Sequence, residues 1–234
     1  MEINQEYIKR KVYFLLGLRT FSQMDTIEYV DWAIELLVDG LDTKNLRILA
    51  GLSNSYSGER IVYFNRVLDD FNIQITEDIN EISKCYALEI ADNVISGKLS
   101  PYYSYELIMK MIRFCDYPSY YIHFFYLDED ITYLNFNERT FYNLNLTNEN
   151  LDGFIIREFE YLKLQFNFGI NINEVIYCKK CNTVSKPESN KRFNLLTFKK
   201  VPVEVCGNCR SQSIVSGDTL SGRELIFEKL KSSK

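Results

Sequence analysis

The sequence predicts a mainly α protein: a multi-helix body followed by a small antiparallel β module and a short C-terminal helix. Three observations carry this expectation. Through residue 168 apolar residues recur at intervals of three and four between capping residues and glycines. After it the pattern changes to short stretches with strand character. Within that stretch lie two cysteine pairs of identical spacing, Cys178-Lys179-Lys180-Cys181 and Cys206-Gly207-Asn208-Cys209. With 234 residues, 46% of them hydrophobic, the chain can bury a core without disulfide staples. Aromatics at 15% and only four prolines suit packed helices better than linkers or disorder.

The helices follow in order. Ile8, Val12, Leu15 and Leu16 mark the first, over residues 5–20. Asp25 and Glu28 have the spacing of a capping box, predicting a helix that runs to Asp39 and stops at Gly40, with Ile27, Val30, Ala33, Ile34 and Leu37 as its apolar stripe. Asp42 or Thr43 caps a short helix ending at Gly51, and Ser57 caps one carrying Ile61, Phe64, Val67, Leu68 and Phe71. A long helix from Glu77 to Ser96 ends at Gly97, and Ser100-Pro101 opens the next with proline at its first position. Residues 102–115, 119–127 and 148–166 also read as helices, the last capped by Thr147 or Asn148. Residues 131–146 fit either a helix or a short strand pair. Ser221 and Glu224 form a second capping-box pattern, predicting a final helix from Gly222 to Leu230.

The stretch Trp32-Ala33-Ile34-Glu35-Leu36-Leu37, with Gly40, Asp42 and Leu46-Arg47-Ile48-Leu49-Ala50-Gly51-Leu52, resembles the opening of a small helical domain of uncharacterised bacterial proteins. Glu89-Ile90-Ala91, Ile95-Ser96-Gly97-Lys98-Leu99 and Pro101-Tyr102 resemble its second block, so that the likeness spans residues 25–115. That domain implies no established activity, and some of its relatives look like accessory or immunity-type proteins. Read on their own, Trp32, Ile34 and Leu37 are core residues and the glycines are helix ends.

Two residues between cysteines let both thiolates of a pair reach one metal ion, and two such pairs complete a tetrahedral shell. Strand-like segments at 171–177, 193–198, 201–205 and 212–215 flank the pairs, the layout of a zinc ribbon over residues 169–217. Cys178, Cys181, Cys206 and Cys209 are the predicted ligands of a structural Zn2+, with a redox-active dithiol pair or an iron–sulfur site as alternatives. A closed shell leaves no position for water or substrate. So small a module cannot offset its own ordering entropy, and metal binding is expected to supply about 10 kcal/mol of folding free energy. Gly207 eases the second turn and Asn182 tolerates a left-handed position after the first. Cys85 and Cys115 sit in apolar helical patterns as buried free thiols.

The net charge of −5 conceals a division. Residues 178–210 carry eight basic and two acidic side chains, the last 24 residues are +1, and residues 1–177 therefore hold −12. The predicted organisation is an acidic helical body (1–168), a basic ribbon (169–217) and a C-terminal helix (218–234). Lys179, Lys180, Lys191, Arg192, Lys199 and Lys200, with Tyr177, Phe193 and Phe198 among them, are candidate nucleic-acid contacts. They also suit offsetting the negative charge of four thiolates around a dication, or facing the acidic body.

No phosphate-binding glycine loop, nucleophile elbow or metalloprotease pattern is present, and the single His123 lies in an aromatic run where a satisfied half-buried imidazole is expected. Asp69-Asp70 and Asp128-Glu129-Asp130 read as solvated charge. The expectation is a non-enzymatic binding protein of accessory or immunity type, whose acidic body engages a basic protein partner such as a toxin or effector. The alternative is a nucleic-acid-binding ribbon. No stretch suits a membrane span and the acidic start Met1–Glu6 does not read as a secretory signal, so a cytoplasmic location is expected.

Overall fold

A computed structural model describes residues 5–22, 25–136, 138–194 and 199–232, except for the side chains of 192–194. The chain is mainly α with a strand-bearing C-terminal region, and it divides into two compact units, residues 1–114 and 115–234.

The first unit holds α1 (Gln5–Ser22), α2 (Ile27–Val38), α3 (Lys44–Ala50), α4 (Ser57–Asp70), α5 (Ile79–Ile95) and α6 (Pro101–Phe114). α1 lies against α5 and α6, while α2, α3 and α4 pack together. Tyr29 stacks on Phe64 at 4.0 Å and Trp32 tilts against the same ring at 5.4 Å, both deeply buried. Gly17 lets α1 approach α5 so closely that a Cβ there would lie 2.3 Å from the Tyr86 ring. The buried stripe of α2 is Tyr29, Val30, Trp32, Ala33 and Leu36, whereas Ile34 is exposed. The periodicity locates the helix correctly, but large aromatics win the inward positions over Ile34.

Thr43 caps α3 as expected, its hydroxyl accepting from Leu46 N–H at 3.1 Å. The Asp25 capping box does not form. Its carboxylate instead accepts from Thr26 N–H at 2.6 Å, Arg60 Nη1 at 2.9 Å and Ser57 Oγ at 3.2 Å. That also removes Ser57 from capping, and Tyr56 holds the cap position of α4 with no side-chain bond. Arg60, 5% exposed, also donates to the carbonyls of Leu52 and Ser53, thereby tying the α3–α4 loop to α4.

The second unit opens with a turn of 3₁₀ helix (Ser119–Tyr121) and α7 (Ile122–Asn135), then α8 (Leu151–Phe168), closed by Gly169 at φ +62°. Residues 131–135, left open by the sequence, continue α7. Neither Thr147 nor Asn148 caps α8; Asn150 holds the position, and its Oδ1 accepts from Thr147 N–H instead. Residues 172–174 form another 3₁₀ turn where the sequence suggests strand, because the Asn171 side chain accepts from Asn173 N–H. Five strands follow: β1 (Ile176–Cys178), β2 (Thr183–Ser185), β3 (Pro187–Asn194), β4 (Lys199–Cys206) and β5 (Ile214–Ser216). They form an antiparallel β2-β1-β5 sheet and a separate β3-β4 hairpin. Of the expected 193–198 strand, Phe193 and Asn194 end β3, while residues 195–198 lie outside the described residues.

α9 (Leu220–Lys231) packs on α8 and on β1, β2 and β5. Its cap is Thr219, which accepts from Gly222 N–H at 3.1 Å, not Ser221 with Glu224. Ile226 and Phe227 of α9 join Ile172 and Val175 in a buried cluster, with Tyr161 stacked on Phe227 at 5.1 Å. Beside it Arg223 forms an ion pair with Glu158 in which both side chains are 3% exposed.

Candidate metal centre and neighbouring surfaces

Each cysteine pair sits in the same local structure. β1 ends at Cys178, the chain turns through Lys179 and Lys180, and Asn182 adopts φ 55°. β4 ends at Cys206, the chain turns through Gly207 and Asn208, and Arg210 adopts φ 56°. In each turn the left-handed residue's N–H returns to the first cysteine's carbonyl, Asn182 to Cys178 and Arg210 to Cys206, both at 2.9 Å. Gly207 is needed for space rather than conformation, since a Cβ there would approach the Lys186 carbonyl to 3.0 Å. Lys179 N–H donates to Ser213 and Cys206 N–H to Ser211, which fixes the approach to each turn.

The four sulfurs lie within 4.8 Å of one another, with Cys178 to Cys209 and Cys181 to Cys206 both at 3.6 Å. A tetrahedral shell with metal–sulfur bonds of about 2.3 Å has edges of about 3.8 Å, so the cluster fits one metal ion with little adjustment. The separations are far from the roughly 2.05 Å of a disulfide, and all four thiols are free. Cys178 and Cys206 are fully buried with Ile176, and Cys181, Cys209 and Ile214 close over them.

Backbone dipoles favour the ligating form. The Cys206 thiol is drawn down to about 6 by the N–H groups of Cys209 and Asn208, and Cys178 is lowered by those of Cys181 and Lys180. Although the Ser211 N–H lowers it, Cys209 is pushed up to about 12 by burial and by the other three sulfurs. Sulfurs that repel one another's ionisation are relieved by a cation at their centre. Thr183 Oγ1 lies 3.1 Å from Cys181 Sγ and accepts from Asn208 Nδ2 at 3.0 Å, a polar contact between the two turns.

The six basic candidates fall in two places. Lys179 and Lys180 are exposed on the first turn. The other four lie far along the hairpin, where Lys191 pairs with Pro202, Arg192 with Val201, Phe193 with Lys200 and Asn194 with Lys199. Strand alternation puts Lys191 and Lys200 on one face of the hairpin and Lys199 on the other. Lys191, Lys199 and Lys200 are exposed, and the Arg192 side chain lies outside the described residues.

His123 is 5% exposed, and burial with the charge of Arg223 lowers it to about 3. Asp130, read from sequence as solvated, is fully buried. Its carboxylate accepts from the backbone N–H groups of Phe141 (2.6 Å), Tyr142 (3.1 Å) and Asn143 (2.6 Å) and from Asn143 Nδ2 (2.9 Å). These bonds fix a loop that sequence reasoning missed as a surface. Phe136, Phe141, Tyr142 and Leu144 are exposed at 73%, 71%, 43% and 62%. Four large apolar side chains within nine residues of a polar connecting segment were the available signal.

No protein-family model, curated protein or solved structure matches the chain. Among the described residues no helix is long and apolar enough to cross a membrane.

Proposed function

We propose that the chain is a non-enzymatic binding protein of accessory or immunity type that docks a basic protein through the loop held by Asp130. The exposed Phe141 and Tyr142, in ring contact on the segment bonded to Asp130, carry this reading, with Phe136 and Leu144 also exposed nearby in the sequence. Apolar side chains held out on an ordered loop lose little entropy on binding, which is the property of interface anchors. The neighbouring sequence supplies the charge: residues 128–152 contain Asp128, Glu129, Glu138, Glu149 and Asp152 besides the buried Asp130, against Arg139 alone. Such a rim speeds encounter with a cationic partner. The four-cysteine site holds Zn2+ in a purely structural role, since its donors are all sulfur and the shell is closed.

The test is a photo-crosslinking residue at position 141 in cells that produce the protein, followed by identification of the adduct and calorimetry with the purified pair. The expected partner is cationic, binds less tightly as salt rises, and loses at least tenfold in affinity against the Phe141→Ser/Leu144→Ser variant. Unchanged binding by that variant, or an acidic partner, overturns the reading.

A further inference from the structure

We infer that the β3–β4 hairpin is a second binding element, an arm that enters the major groove of B-form duplex DNA. This goes beyond the protein-docking loop and does not depend on it. Each strand has eight residues, so the arm extends about 26 Å at roughly 3.3 Å per residue. The outer ends of its two strands, 191–194 on β3 and 199–200 on β4, contain four basic residues and no carboxylate. The two acidic residues of the hairpin, Glu188 and Glu204, lie near its base, close to the metal site. Glu188, Ser189, Asn190 and Lys191 on β3 and Lys199, Lys200, Pro202 and Glu204 on β4 are all exposed.

The distribution of charge selects the kind of polyanion. Lys191 and Lys200 share one face and Lys199 lies on the other, so the arm presents cations to both sides. A surface with one anionic wall would leave half of them unused, whereas a groove with phosphates along both walls uses both faces. A two-stranded ribbon about 10 Å thick with its side chains matches the roughly 12 Å width of the B-DNA major groove. The major groove of A-form RNA is too narrow and deep for it, and a single strand offers only one line of phosphates. Adding a protein strand to the hairpin edge is disfavoured by Pro202, which lacks an N–H, and by the edge lysines. The zinc-stapled turn at the base gives the arm a fixed root, because β4 ends in the ligand Cys206.

The experiment is fluorescence anisotropy of the full zinc-loaded chain with labelled 24-base-pair DNA, the same single strand, the matching RNA duplex and heparin, from low to moderate salt. Duplex DNA is expected to bind most tightly, with log affinity falling against log salt at a slope of about −3 to −4 for four phosphate contacts. Lys199→Glu/Lys200→Glu should reduce affinity at least tenfold, and Lys191→Ala should make the slope shallower by about 1. Both changes are exposed, so unaltered zinc content and melting temperature separate lost contact from lost fold. Absence of binding at tens of micromolar, equal or tighter binding of single strands, RNA duplex or heparin, or full binding by the double reversal overturns the inference. None of these outcomes bears on crosslinking at position 141, so the two readings fail separately.

Discussion

Asp130 shows how one side chain shapes a surface it does not reach. Its buried carboxylate takes three backbone N–H groups and the Asn143 amide, so Asp130→Ala leaves four donors without their acceptor. At about 1–3 kcal/mol for each buried group left unpaired, less what water recovers, the second unit should lose roughly 3–5 kcal/mol by urea unfolding. His123 gives the pH counterpart. Arg223 of α9 faces it with positive charge, Tyr126 meets it edge-on at 5.6 Å, and Asp218 lines the same cavity of about 230 Å³. Because its folded value, about 3, lies below the ordinary 6.5, the unfolded chain takes up a proton that the folded chain refuses. The associated stability is complete above pH 6.5 and declines as pH falls toward about 3, by about 1.4 kcal/mol per pH unit. Urea midpoints measured from pH 7 to 4 should show this slope, and His123→Phe should flatten it.

Among the elements, helices with clear periodicity were legible, and so was the gathering of the four cysteines, because spacing alone puts a Cys-x-x-Cys pair in one turn. Caps were less so. Asp25 has the spacing of a capping box, yet Arg60, 35 residues away, captures its carboxylate, a competition no local pattern contains. The loop after α7 was illegible for the same reason, since its order comes from the buried Asp130 and not from turn residues. Gly222 reads locally as a helix start, but its missing side chain matters for packing: a Cβ would lie 1.8 Å from the Ser216 carbonyl at the end of β5. Gly222→Ala must therefore push α9 off the sheet, and a loss of about 1–3 kcal/mol or more is expected for such overpacking. Gly153 in α8 is the contrasting case, where an added Cβ would meet nothing within 4 Å, so Gly153→Ala should stabilise by about 0.5–1 kcal/mol. Chemical denaturation of the two variants side by side checks both signs.

At the scale of the whole molecule, charge and the four-cysteine cluster divide unequally between the units. The first carries 17 acidic and 12 basic residues, whereas the second is neutral in sum, its acidic stretch 115–177 balanced by the basic ribbon and tail. The first unit has its own core of stacked aromatics and interlocked helices and contains none of the four ligands. In the second, the small core of Ile176, Cys178 and Cys206 is built on the four-cysteine cluster, and α9 packs on the strands that frame it. If a metal ion sits among these mutually repelling sulfurs, withdrawing it should release β1 to β5 and loosen α9 while α1 to α6 stay folded. Elemental analysis should find one zinc per chain, lost in Cys178→Ser. Hydrogen exchange of the intact chain with and without a strong chelator then gives the decisive map, with accelerated exchange in 176–216 and 220–231 and unchanged protection through 5–114. Equal acceleration in both units would show that they share one cooperative core, and no acceleration in the ribbon would show that its fold needs no metal.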